Sequence, residues 1–429
     1  MKFTVVIPTR ERAATLQHAL ATVVAQDYAD LTILVSDNAS TDNTRAVVES
    51  FKDPRIRYVN TGRRVEMTTN YEFALSHVKE GFVGYLGDDD GLLPGGVSMA
   101  AKILGRYRTP ALAWSAVGYS WPNFPEPFYR HQLTIPFDPL VVRRSGRRAL
   151  KRFFTGMPNQ FHLPSLYGNG FVDTALIRSV QSGCPDARFF RSPNPDVYAA
   201  LVLTRRMDSF AYSFAPLSII GGSGSSNCGN FYAAVQGASL DNSAEHVRTA
   251  SEIKDHPFSS RITRCRSYGH VFGDTVLAAA ERADGSVPGE RALVAKILGW
   301  IAQDVCGKPA AIYEEGIAAI RTTAARYQLE RQAEELIGAH PHRPSNAFPP
   351  QAPPSAGRPG YADLLTLNGS EFGIQNVADA ARFCGNLLGY QRGIELACED
   401  HGAWREWVRS WCGRVLRRVV AGPPRLAVP

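Results

Sequence analysis

The sequence predicts an α/β fold: a mostly parallel sheet flanked by helices, followed by a mainly helical C-terminal extension. Three observations carry that prediction. Short continuous apolar runs at Phe3–Ile7, Leu31–Val35 and Phe82–Leu86 read as strands buried on both faces. Between the first two, Leu16, Ala19, Leu20, Val23 and Val24 fall on one helical stripe. Each of the three runs ends in a polar cluster, at Pro8-Thr9-Arg10, Asp37-Asn38 and Asp88-Asp89-Asp90.

In chain order, Phe3–Ile7 is the first strand, and Pro8 is expected to stop it because proline donates nothing to a ladder. The helix of Leu16–Val24 follows, then the strand Leu31–Val35. Ser40 or Thr41 is placed to cap a helix whose stripe is Val47, Val48 and Phe51. Ile56–Val59 is a third strand, Asn70–Val78 a third helix, and Phe82–Leu86 a fourth strand running into Gly87 and the Asp triplet. From about 105 to 235 the signals mix, with more Pro, Gly and aromatics. Residues 236–340 read as helical, for example Val276–Arg282 and Glu290–Val305. Seven prolines between 341 and 361 mark a linker or a meandering surface segment. A last helical region lies within 362–429, over roughly 374–420.

Composition narrows the function classes. The chain has 429 residues, 44% hydrophobic and 20% charged, a globular balance. No apolar run approaches the ~18 residues of a membrane span. Met1-Lys2 leads straight into a strand, unlike a secretory leader, so the expected location is cytoplasmic. The seven cysteines are scattered and never in Cys-x-x-Cys spacing, as in reduced thiols rather than a disulfide framework or zinc site. Net charge is +7, but residues 1–100 carry 10 basic and 13 acidic side chains, whereas 101–160 carry 10 and 2. A nucleic-acid binder would spread basic charge over its most regular module, so nucleic acid is not an expected partner.

Ligands of open parallel sheets bind at the carboxyl ends of the strands, where the three polar clusters sit. Three successive carboxylates after an apolar strand repel one another, and a divalent cation is the usual remedy. Oxygen-only ligands favour Mg²⁺ or Mn²⁺, which keep positions open for phosphate oxygens. The sequence has neither a P-loop nor G-x-G-x-x-G after a strand, so triphosphatase and dinucleotide chemistry are unsupported.

Val5-Val-Ile-Pro-Thr-Arg-Glu-Arg12, Val35-Ser-Asp-Asn-Ala-Ser-Thr-Asp42 and Tyr85-Leu-Gly-Asp-Asp-Asp-Gly-Leu-Leu-Pro94 together resemble glycosyltransferase family 2, whose fold is GT-A. The resemblance is strong over 1–104 and fades through about 220. It implies a catalytic domain at 1–235, with 1–104 as the nucleotide half and 105–235 as the acceptor and sugar half. It also implies a nucleoside-diphosphate-sugar donor, most commonly UDP, and an acceptor hydroxyl on a glycan, a lipid-linked molecule or a small molecule. Transfer would be inverting and metal-assisted. Pro8, Thr9, Arg10, Arg12, Asp37, Asn38, Arg64, Asp88 and Asp89 are then expected at the nucleotide. Asp88 and Asp90 are expected at the Mn²⁺ or Mg²⁺, Asp90 first. Relatives often read Asp-x-Asp-Asp here, and this chain has Gly87 at the first position.

The resemblance also asks for a base before a helix. Asp196, in Ser192-Pro-Asn-Pro-Asp196, is that candidate, with its reading as a helix N-cap open beside it; Asp186 is the fallback. Gly168, Asn169 and Gly170, ahead of a helix expected at Val172–Val180, resemble the loop that seats the donor sugar. Arg63 accompanies Arg64 as a cation facing the nucleotide or as part of a solvated pair. Gly221–Asn227 reads as a lid or a linker. Val141–Arg152 packs six cations into twelve residues, as a solvated helix face or a surface for an anionic acceptor. In the tail, Trp404, Trp407, Val408, Trp411, Val415 and Val419 share a stripe flanked by arginines. Residues 403–420 could lie on the inner face of the membrane, pack on the catalytic domain, or join subunits in a homo-oligomer. Two rivals remain: a non-catalytic sugar-nucleotide or glycan-binding relative, and a nucleotidyltransferase.

Overall fold

The computed structural model describes residues 1–155, 160–183, 186–226, 258–344 and 364–389. Four parallel strands open it: β1 (Phe3–Thr9), β2 (Leu31–Asp37), β3 (Ile56–Asn60) and β4 (Phe82–Tyr85). They are joined by α1 (Ala13–Val24), α2 (Thr44–Ser50) and α3 (Met67–Ser76). The strands are apolar without alternation because both faces are covered. Val6 and Leu34 enter one core cluster with Tyr71 and Leu75 of α3, while Val5, Ile7, Ile33 and Val35 enter the other with Leu16 and Leu20 of α1.

Pro8 does not end β1. Pairing to β2 runs on through Thr9↔Asp37, and pairing to β4 stops at Val6↔Tyr85, before the proline, so its missing N–H removes no bond on that side. Nor do Ser40 or Thr41 cap α2: Asp42 Oδ1 instead accepts from Thr44 N at 3.0 Å.

Beyond β4 come β5 (Gly91–Leu92), α4 (Gly96–Tyr107), β6 (Ala111–Trp114), β7 (Val117–Ser120), β8 (Gln132–Pro136) and β9 (Val141–Ser145). Then follow α5 (Gly146–Thr155), β10 (Gly170–Asp173), α6 (Thr174–Gln181), α7 (Pro195–Arg205), β11 (Ser209–Ser213) and β12 (Ser218–Gly222). Two expectations change here. Val141–Arg152 is an edge strand turning into a helix rather than one helix face. Val172 is strand and α6 starts at Thr174, because β10 inserts antiparallel between β4 and β6.

The large sheet runs β3-β2-β1-β4-β10-β6-β11-β9. A second sheet of five strands, unforeseen in the sequence, begins with a late strand, β13 (Leu364–Asn368), and runs β13-β8-β7-β12-β5. The parallel pair β6–β11 of the first sheet continues as β7–β12 of the second, and Trp114 Nε1 donates to Ser218 Oγ at 2.7 Å across the step.

The helical region comprises α8 (Tyr268–Asp284), α9 (Glu290–Val305), α10 (Ala310–Tyr327) and α11 (Glu330–Ala339), and α8 packs along α7. The last described segment returns to the second sheet. Its strand β13 (Leu364–Asn368) pairs with β8, and α12 (Val377–Leu388) packs on α1, β5 and β12. Most of the Pro-rich stretch and the Trp-rich tail lie outside the described residues, and among those described no helix is long and apolar enough to cross a membrane. Cys265 and Cys384 are buried free thiols, each pushed up to about 12 by burial and so unreactive.

Candidate active site

The ends of β1, β2 and β4 bring the polar clusters together. Thr9 Oγ1 donates to Asp88 Oδ2 at 2.8 Å, and Arg12 Nη1 donates to Asp88 Oδ1 at 3.0 Å. Burial opposes the charge on Arg12, but Asp88 and Asp89 outweigh it and hold the guanidinium above its ordinary value. The three carboxylates are almost inaccessible, at 2%, 4% and 0% exposure. Burial raises the Asp88 carboxyl despite Arg12. It raises Asp90 too, with Asp89 adding to the effect and the amides of Gly221 and Gly87 and the Tyr167 hydroxyl opposing it.

Asp90 is held by backbone, with Oδ2 accepting from Gly87 N at 2.8 Å and Oδ1 from Gly221 N at 2.7 Å. This explains the glycine at position 87. A Cβ there would stand 2.5 Å from the Tyr167 hydroxyl and 2.7 Å from Asp90 Oδ2, so Tyr167 fills the place of a side chain.

Asp89 faces a different partner. Its Oδ2 accepts from Ser223 Oγ at 2.6 Å, from Ser223 N at 3.3 Å and from Ser226 Oγ. Arg12 Nη2 also donates to Ser225 O. The segment 221–226 is therefore a strap fastened across the triplet; Asn227 lies outside the described residues. Gly221 is obligatory because a Cβ would come 1.9 Å from Asp89 O.

Asp37 and Asn38 serve the neighbouring loops. Asp37 Oδ1 accepts from Ser40 N and Oγ at 3.0 and 2.5 Å, and its Oδ2 accepts from Tyr58 OH and Asn60 Nδ2 at 2.6 and 2.9 Å. Asn38 clamps Val65 with both ends of its amide, each bond 2.8 Å, and so fixes the loop carrying Arg63 and Arg64. Arg63 is exposed; Arg64 and Arg10 are half-buried.

Gly168 follows Tyr167 with φ of 71°, and Gly170 opens β10. Asn169 between them is fully buried and its amide is spent inside the protein. It donates to Trp114 O at 2.9 Å and Phe161 O at 2.7 Å, and accepts from Ser165 Oγ at 2.8 Å.

Asp196 lies in the first turn of α7, where a carboxylate complements the helix dipole. The N-cap is Asn194, which makes no side-chain capping bond. Its Nδ2 turns to Thr275 of α8 at 3.5 Å, and Thr275 Oγ1 meets Ser192 Oγ at 2.6 Å. Asp186 is exposed and paired with Arg191.

Tyr71 and Tyr167 were missed in the sequence, because isolated tyrosines carry no local signal. Tyr71 stacks on Tyr85 with centroids 4.9 Å apart. Burial, then Asp196, Asp90 and Asp88 in that order, raise its hydroxyl far above the ordinary value, so the candidate base and the triplet act on one ring.

Residues 4–162 match the sequence profile described as Glycosyl transferase family 2. That segment is similar to a family 2 glycosyltransferase domain. This domain is similar to the GalNAc(5)-diNAcBac-PP-undecaprenol β-1,3-glucosyltransferase of Campylobacter jejuni, 37% identical over 100 residues, which cover 23% of this chain and 32% of that protein. It is also similar to the validoxylamine A glucosyltransferase of Streptomyces hygroscopicus subsp. jinggangensis, 37% identical over 152 residues, which cover 33% and 35%. The matched segments thus span about a third of these relatives' own length. The solved structure of S. aureus TarS 1-349 with UDP-GlcNAc aligns over 79% of this chain and 91% of that one, at 15% identity and a TM-score of 0.46. The mixed sheet with its crossover helices is the α/β arrangement that the sequence motifs imply.

Proposed function

We propose that the protein transfers a sugar from a nucleoside diphosphate, UDP foremost, to an acceptor hydroxyl with inversion. The observation that carries this reading is the convergence of Thr9, Arg12 and the Asp triplet at one strand edge, with Asp196 acting on the same Tyr71. Asp37 and Asn38 shape the nucleoside side through the loops they hold. Arg12 supplies a fixed cation for the diphosphate, and the half-buried Arg10 and Arg64 are assigned to the same ligand.

The donor set suits a hard divalent cation. Three buried carboxylates face one guanidinium, leaving negative charge that neither Thr9 nor the backbone amides cancel. Asp90 and Asp88 are the residues that would hold Mn²⁺ or Mg²⁺, which when bound would offset charge on the leaving diphosphate.

In the transfer, the acceptor oxygen forms a bond to the anomeric carbon as the bond from that carbon to the diphosphate oxygen breaks. The acceptor proton passes to the Asp196 carboxylate. Asp186 is less suited, because Arg191 already holds it at the surface. The relatives' names bring two acceptor classes, an undecaprenyl-diphosphate-linked glycan and validoxylamine A.

The test is Asp196→Asn. Turnover should fall by at least about 100-fold while the affinity for the donor nucleotide stays within about twofold. Unchanged turnover would remove Asp196 from the chemistry.

A further inference from the structure

Away from the triplet, the edge strand β9 carries a cation without an acid. The Arg144 guanidinium lies 3.3 Å from the centroid of the Tyr212 ring and 5.1 Å from that of Phe214, and its Nη1 donates to His162 O at 3.3 Å. The Tyr212 hydroxyl in turn lies 3.2 Å from His162 Nδ1 and 3.1 Å from Ser115 Oγ. The stack fixes the plane of the guanidinium, and His162 O and Tyr212 occupy only part of its five-donor fork.

A second cation stands close by. Arg152 of α5 is exposed, yet it acts on both Arg144 and His162. Among the described residues neither arginine forms an ion pair with a carboxylate. Asp138 bears on Tyr212, and its Oδ1 accepts from Leu140 N at 2.9 Å. Burial, with Arg144 and Arg152 adding to it, lowers His162 to about 4, so its ring is neutral near pH 7 and brings no counter-charge. The Arg152 charge bears unfavourably on the half-buried, stacked Arg144 guanidinium, and an anion between the two would relieve that repulsion.

The position is informative as well. Ser115 and Ser213 stand where β6 and β11 end, and both strands run in the direction of β4. The cluster therefore shares an edge of the sheet with the Asp triplet. The strand β11, which carries Tyr212, is three strand steps from β4, and β9, which carries Arg144, is four, or about 19 Å at ~4.8 Å per step. Separate anion sites that far apart along one sheet edge suit two substrates.

We propose that Arg144, Arg152 and Ser115 form a subsite for a phosphate group carried by the acceptor. The word acceptor rests on the transferase reading above; the anion site does not. A phosphate is favoured over a single carboxylate because two guanidinium groups match its higher charge and several oxygens. The phosphate belongs either to a lipid-linked diphosphate or to a soluble sugar phosphate.

The test titrates inorganic pyrophosphate into the full-length protein and into Arg12→Gln, Arg144→Gln and Arg152→Gln variants. Two sites are expected in the wild type. Arg144→Gln and Arg152→Gln should each weaken one of them at least tenfold, and Arg12→Gln the other. Arg152 is exposed on α5, so its variant keeps the test valid should Arg144→Gln fold poorly. A single site abolished by Arg12→Gln and untouched by the other two would overturn the subsite and leave the donor reading standing. Loss confined to Arg144→Gln and Arg152→Gln would do the reverse. Glucose 1-phosphate in solution, and phosphatidylcholine vesicles doped with a polyprenyl diphosphate, then separate the sources. The probe whose binding Arg144→Gln removes identifies the acceptor's phosphate, and loss of neither overturns the proposal.

Discussion

Replacing Asp89 by Ala separates two roles that a buried carboxylate can play. Its Oδ2 fastens the strap through Ser223 Oγ at 2.6 Å, Ser223 N at 3.3 Å and Ser226 Oγ. Two short charge-assisted bonds are worth about 1.5–3 kcal/mol each, and the released hydroxyls regain water at the half-buried strap. The net loss of strap stability is therefore about 2–4 kcal/mol. That corresponds to faster local opening by a factor of about 30 to 1,000. The opposite sign applies to the rest of the site, since removing Asp89 relieves repulsion that helps to raise the Asp90 carboxyl. Native-state hydrogen exchange resolves the two effects. The Ser223 amide, bonded to Asp89 at 3.3 Å and to Ser226 Oγ at 2.7 Å, should lose protection because Asp89 also holds Ser226 Oγ. The Gly221 amide, bonded to Asp90 at 2.7 Å, should keep most of its own. Unchanged exchange at Ser223, or equal loss at both amides, would refute the strap as described.

Other consequences follow from the same contacts. Asn169→Ala should cost about 2–4 kcal/mol in denaturant unfolding, because Trp114 O and Phe161 O lose their donor in a dry site. A fall in activity without that loss would return Asn169 to the donor sugar. Thr275→Val should lower kcat about tenfold with little change in donor KM by loosening the Asp196 turn, and Thr275→Ser should restore it. Failure of serine to rescue would make Thr275 a packing residue only. Burial, with arginines nearby, lowers His162 and His270 to about 4 from 6.5. Their stabilisation is thus fully present above pH 6.5 and is lost as pH falls through 4, by about 3 kcal/mol per histidine. His270→Phe, which keeps a ring against Phe258, should remove its share of that slope, and an unchanged slope would discount it.

What could be read in the sequence was local. The strands β1, β2 and β4 are continuous apolar runs because both faces are covered, and their polar ends fall where ligands of parallel sheets bind. The Asp triplet, Thr9 and Arg12 were accordingly legible, and they do meet. What stayed hidden depends on residues far apart in the chain. Asp89 reads as one of three equivalent acids until Ser223, 134 residues later, takes its Oδ2. The second sheet is assembled from short strands, one of them a segment beyond the Pro-rich stretch, and none has a period long enough to stand out. Asp196 reads in the sequence as the base, with a helix cap open beside it; Asn194 holds the cap position, with its side chain turned to Thr275. Asn169 between two glycines resembled a ligand loop, and only the neighbouring strand ends show that its amide is consumed by the core.

Calorimetric titration of UDP, GDP and dTDP, with and without Mn²⁺, into wild-type and Asp90→Ala protein tests the central claim most directly. Saturable binding of one nucleotide, strengthened by Mn²⁺ and lost in the variant, is the predicted result. No binding of any of the three to the wild type, or binding that Asp90→Ala leaves intact, would contradict a donor site at the Asp triplet.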